Sequence, residues 1–137
     1  MKPFKSLADD ISKRLVAEGF TVHRYDAVST DSVYLKLDWG ACNGIRVSGH
    51  PGLQHAKHRY NIGTWISIPV EVEDPLLRFF WPVECVPEMI ERVVADRAAR
   101  IGWIGEAGYE ASVERKRREA RKAKKGFWTH ARKVKRR

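Results

Sequence analysis

Arg115, Arg118, Lys122 and Lys125 recur at three- and four-residue intervals, which on a helix puts them on one face. Lys116, Arg117, Arg121 and Lys124 stand beside them. A cationic row at that pitch can follow a phosphate backbone. Each lysine supplies a point charge, and each arginine adds a two-pronged hydrogen bond that matches a phosphate. Beyond Gly126, Phe127 and Trp128 offer flat rings on which unpaired bases stack, and Arg132 and Lys133 resume the charge. The two rings could instead fold onto the body as an apolar anchor, and the charge run could be a plain solvated face. Sequence leaves both pairs of readings open.

A second group lies in and around the loop His50–Arg59. Arg46, Lys57, His58 and Arg59 would give a secondary contact to phosphate or to a nucleotide edge. His50, His55 and His58 also raise a metal, with Cys42 or Cys85 as further ligands. Their spacing lacks the paired cysteines or the helical His-Glu-x-x-His of zinc sites, so neither metal nor cofactor is expected. Catalytic signals are weak. Gly102, Gly105 and Gly108 follow a helical pattern, not a strand, so they form no phosphate cradle. Nothing local would activate Cys42 as a nucleophile. The chain reads as non-enzymatic.

The charge is concentrated at one end. Of 137 residues, 26 are Lys or Arg and 17 Asp or Glu, a formal net charge of +9. Residues 114–137 hold 13 of those bases against Glu114 and Glu119, a net +11. The first 113 residues keep 13 bases against 15 acids, a net −2. A segment so charged repels itself until it meets a polyanion, and nucleic acid releases counterions when its phosphates are neutralised. An anionic membrane surface would require an apolar face beside the basic one, and residues 114–125 offer only alanines there. No apolar run approaches the roughly 20 residues of a membrane span, and Met1–Lys5 leads into no signal-peptide core. Two cysteines make no disulfide framework, so a reducing cytoplasm is expected.

The elements that must position these residues read as α+β, with 43% hydrophobic and 31% charged residues, a globular composition. Phe4, Leu7, Ala8, Ile11, Leu15 and Val16 form a helical stripe, with Ser6 and Asp9 placed for a capping box and Gly19 as the stop. Period-two alternation then marks strands at Phe20–Asp26, Ser32–Trp39, around Ile45–Val47 and over Tyr60–Ile68. The simplest arrangement is a four-stranded antiparallel sheet behind the helix. Asp74-Pro75 could start a short helix through Phe80. Phe79, Phe80 and Trp81 either cap the sheet or form an exposed patch for a protein partner. A helix opens at Pro87-Glu88, the three glycines predict a bend, and helix resumes from Tyr109 to Lys125. The division is a compact domain over 1–113 and a basic helical arm over 114–137.

The stretch Ser32-Val33-Tyr34-Leu35-Lys36-Leu37-Asp38, then Gly44-Ile45-Arg46-Val47-Ser48-Gly49-His50 and His58-Arg59-Tyr60-Asn61, resembles a motif of small uncharacterised proteins from phages and mobile elements. There a strand hairpin ends in Ile-Arg-Ile-Ser-Asp-His, and Gly49 stands here where Asp is usual. The likeness covers residues 32–61. It implies a phage or prophage origin, hence the host cytoplasm, and carries over no activity or site residue. Two expectations result. One is a nucleic-acid-binding protein gripping phosphate through its basic arm. The other is an anti-CRISPR-like inhibitor that seizes a host nucleic-acid-handling nuclease complex, using Phe79–Trp81 as its apolar contact.

Overall fold

The computed structural model describes residues 3–28, 30–40, 44–49, 58–66, 72–73, 77–124 and 126–135. Helix α1 spans Pro3–Ala17 and buries Phe4, Ala8, Ile11 and Leu15. It starts a turn earlier than the Ser6 cap predicted. Pro3 is tolerated in the first turn, and Phe4 must be helical to join the apolar stripe. Asp9 is thereby freed to face the sheet. At the other end Gly19 has φ +90°, its N–H donates to Val16 O and that of Phe20 to Leu15 O, both at 3.0 Å. These are the two bonds of a Schellman stop, and the left-handed residue they require favours glycine.

Strands β1 (Val22–Asp26), β2 (Val33–Leu37) and β3 (Gly44–Val47) form the expected antiparallel meander. The next strand departs from it. Strand β4 (Tyr60–Ile62) runs parallel to β3, and β6 (Phe79–Trp81) runs parallel to β4, with β5 (Val72–Glu73) antiparallel at the edge. At the opposite edge β7 (Arg132–Lys133) pairs with β1, giving the order β5-β6-β4-β3-β2-β1-β7. The sheet is therefore mixed, with six strands from the body and a short seventh from the tail. A four-stranded antiparallel sheet was the expectation, and two features explain the difference. Twelve residues separate β3 from β4, enough for the crossover that a parallel pair needs. The run Phe79-Phe80-Trp81 is buried on both faces of the sheet, so it shows no alternation and does not read as a strand. At Gly63 an added Cβ would lie 1.9 Å from Ser48 O, and the chain turns away there. At Gly49 it would lie 2.7 Å from the Phe4 ring, which packs against the backbone there.

After a 3-10 turn at Val83–Cys85, helix α2 runs from Val86 to Lys122 and bends at Gly105, whose φ is +79°. The predicted bend is thus where the glycines are. Before it, Val86, Met89, Ile90 and Val93 join α1 and the inner sheet face in one core with Leu35, Ile45, Ile62, Phe79 and Trp81. After it, only Tyr109 is buried. The arm boundary expected at residue 114 falls inside α2. A final short helix, α3 (Phe127–His130), leads into β7. Among the described residues no helix is long and apolar enough to cross a membrane.

Candidate nucleic-acid interface

The two faces of the sheet differ in kind. Register puts Arg24, Leu35, Ile45, Tyr60 and Phe79 on the inner face, under α1 and the first part of α2. The outer face carries His23, Tyr25, Tyr34, Lys36, Arg46 and Asn61; Asp26 of β1 lies on the inner face, so no carboxylate of β1–β4 is on the outer one.

The distal half of α2 is brought to the end of this outer face by Asp38. Asp38 and Trp39 both have left-handed backbone, φ 46° and 58°, a conformation costly for residues with side chains. It persists because several partners fix it. Asp38 Oδ1 accepts the Thr21 N–H at 2.9 Å, Arg97 Nε stands 3.2 Å from Oδ2, and the Tyr109 hydroxyl donates to that same oxygen. Trp39 is thereby pushed against His23, ring centroids 4.1 Å apart, and Trp128, 5.8 Å away and nearly parallel. The Arg117 guanidinium lies over the Trp39 ring at 5.7 Å.

From that anchor the basic helix leaves the body with its cations turned outward. Arg115, Arg118, Arg121, Lys122 and Lys124 are exposed, and among the described residues no ion pair holds any of them. Among the described residues Lys116 and Arg117 form ion pairs only within their own helix, with Glu119 at 3.4 Å and Glu114 at 3.7 Å. The predicted one-faced row of Arg115, Arg118 and Lys122 is thus open to solvent; Lys125 lies outside the described residues. Arg132 and Lys133 are exposed on edge strand β7.

Phe127 and Trp128 do not stand free. Both are half-buried against the outer face, Phe127 edge-on to Tyr25 at 6.2 Å and Trp128 edge-on to His23 at 5.1 Å. This is the apolar-anchor alternative, and β7 completes it by hydrogen-bonding to β1. Lys36 Nζ sits over both rings, at 5.2 and 5.8 Å. Burial, and then the neighbouring Lys116, hold its ammonium below the ordinary lysine range. Burial, and then Lys133, lower His23 to about 4, so it is neutral near pH 7.

The loop group is divided. Arg46 is buried beneath the outer surface. Arg59 is drawn toward the inner side, 3.4 Å from Asp96 and over the Phe79 ring at 5.1 Å, so it does not join the cationic row. His58 remains on the outer side, 4.9 Å from Tyr34. Gly44 makes room for it, since a Cβ there would lie 2.6 Å from His58 Nδ1. Lys57, His50, His55 and Cys42 lie outside the described residues. Among those described, no group of three or more metal-ligating side chains occurs.

The expected protein-docking patch is corrected. Phe79, Phe80 and Trp81 are 0%, 5% and 1% exposed, because they form an interior strand of the sheet. Sequence reasoning names Lys116 but not Tyr25, Tyr34 or Lys36 as site residues. The outward alternation of Tyr34 and Lys36 was visible, but not what would lie beside it. Comparison of the chain with protein-family models, curated proteins and solved structures finds no match.

Proposed function

We propose that this chain is a non-enzymatic nucleic-acid-binding protein that grips the phosphate backbone through the distal half of α2. One observation carries the reading. Four exposed Lys and Arg of that half, with Lys124 just beyond it, have no ion-pair partner among the described residues, and they continue toward Lys36 on the outer face of β1–β4, which carries no carboxylate. Phosphates arriving there would neutralise charges that the protein itself leaves unmet, and the released counterions would drive binding. Lys133, opposite His23, extends the cationic surface along the tail edge, whereas Arg132, opposite Arg24, lies on the inner side. The resemblance over residues 32–61 makes a phage or mobile element the proposed source and the host cytoplasm the place of action. Burial of Phe79–Trp81 removes the apolar contact on which capture of a host nuclease complex rested.

Removing the whole arm is a poor test, because residues 127–133 pack on β1 and their loss would expose His23 and Trp39. Charge reversal at exposed positions leaves the fold alone. The triple variant Arg115→Glu, Arg118→Glu, Lys122→Glu should bind an oligonucleotide about 100-fold more weakly near 0.1 M salt. The slope of log affinity against log salt should fall by about 2 to 3. Unchanged affinity and slope would overturn the reading.

A further inference from the structure

The cationic row explains how a phosphate chain would be held but not which kind. Four rings on the outer face bear on that question. His130, Tyr25, Tyr34 and His58 form a row across the strands, with successive centroids 6.1, 6.2 and 4.9 Å apart. Tyr25 and Tyr34 are direct cross-strand partners and lie within 18° of parallel. Such rings would be sealed if packing were their whole role, as Tyr60 and Phe79 are on the inner face, 1% and 0% exposed. Here His130 is exposed and the other three are partly exposed rather than buried. Lys36 follows two residues after Tyr34 on the same face of β2, and Lys116 lies close enough to depress its pKa.

We propose that this row is a base-stacking platform and that the ligand is single-stranded nucleic acid, an inference that rests on the function proposed above. Bases present their flat faces only when unpaired. A duplex buries them in its own stack and leaves a protein the phosphates and groove edges. Flat aromatic side chains beside a positively charged track are the two features by which proteins hold single strands. The charge complementarity is one-sided, since no carboxylate on β1–β4 faces the rings to repel a phosphate. The strand would lay bases on Tyr25 and Tyr34 while its phosphates reach Lys36, Lys116 and the α2 row.

The test is fluorescence anisotropy with a labelled oligothymidylate of about 15 nucleotides and a duplex of the same length. The expected result is single-strand binding about tenfold or more tighter than duplex binding near 0.15 M salt. Tyr25→Leu and Tyr34→Leu should each weaken single-strand binding about tenfold and leave the salt slope unchanged. Tyr25→Phe and Tyr34→Phe keep the ring and should bind as the parent does; this separates stacking from loss of a hydroxyl or of the fold. Duplex binding as tight as single-strand binding, or leucine variants indistinguishable from the parent, would overturn this inference alone. Binding of neither nucleic acid would remove the proposed function and this inference with it.

Discussion

Arg24 and Lys36 are cations on opposite faces of the same sheet, and the chain treats them differently. Arg24, on the inner face, is 4% exposed. Burial alone would weaken its charge, but hydrogen bonds from its guanidinium to Asp26 and Asp9 outweigh that loss and hold its pKa above the usual arginine value. Lys36 has rings beneath it and another lysine beside it, and its pKa is pushed down. The inner face is electrostatically complete, as a core must be. The outer face retains positive charge that its own fold does not satisfy. A cation kept in that condition costs stability, and a polyanionic ligand would relieve it.

The comparison breaks first at Arg24. Arg24→Ala strips two carboxylates of their shared partner and should lower the unfolding free energy by about 2 to 3 kcal/mol in denaturant titrations. Arg24→Lys should recover only part, because a single ammonium cannot replace a planar fork across two carboxylates.

The faces should also part in pH. His23 is depressed from 6.5 to about 4, so the unfolded chain binds its proton first. The contribution of neutral His23 is complete above pH 6.5 and drains away as pH falls toward 4, by about 2 kcal/mol. His23→Phe should flatten that part of the profile. Asp26 on the inner face is also depressed: burial would raise it, but the bond from Arg24 and the charges of Arg24, Lys5 and Arg132 prevail. Its contribution is present above 3.8 and is lost only below that, a lower window than that of His23.

A smaller effect is expected at the joint between the faces. Tyr109→Phe removes the hydroxyl that ties the distal half of α2 to Asp38 and should cost about 1 kcal/mol. Amides of residues 106–122 should then exchange with solvent faster than those of the first half. The smallest stability change belongs to Lys36→Met, which should leave stability unchanged or raise it by about 0.5 kcal/mol. Oligonucleotide affinity should nonetheless fall about threefold to tenfold. Opposite signs for stability and binding would be the signature of an unsatisfied outer face; a loss of stability matching that of Arg24→Ala would erase the contrast.

Local rules carried the sequence reading a long way. Helix α1 and its Gly19 stop, the β1–β3 meander, the bend among Gly102, Gly105 and Gly108, and the open row Arg115, Arg118 and Lys122 all follow from period, turn chemistry and charge spacing. Those signals reside in neighbouring residues, so one chain suffices to read them. Strand β6 escaped because a segment buried on both sides has no alternation to detect. Parallel pairing of β4 escaped because a crossover leaves no mark at the strand itself.

The amino-acid sequence determined that a cationic helical row exists and that apolar stripes mark α1, one face of the first three strands and the first half of α2. Only the tertiary structure decided where that row lies and what surrounds it. Tyr109 meets Asp38 across 71 residues of chain, and Tyr25 meets His130 across more than a hundred. Contacts of that range depend on how separate elements pack, not on the periodicity within any one of them. Tertiary packing thus made Phe79–Trp81 core, turned Phe127 and Trp128 into anchors, and left the rings of Tyr25 and Tyr34 facing out beside unmatched charge.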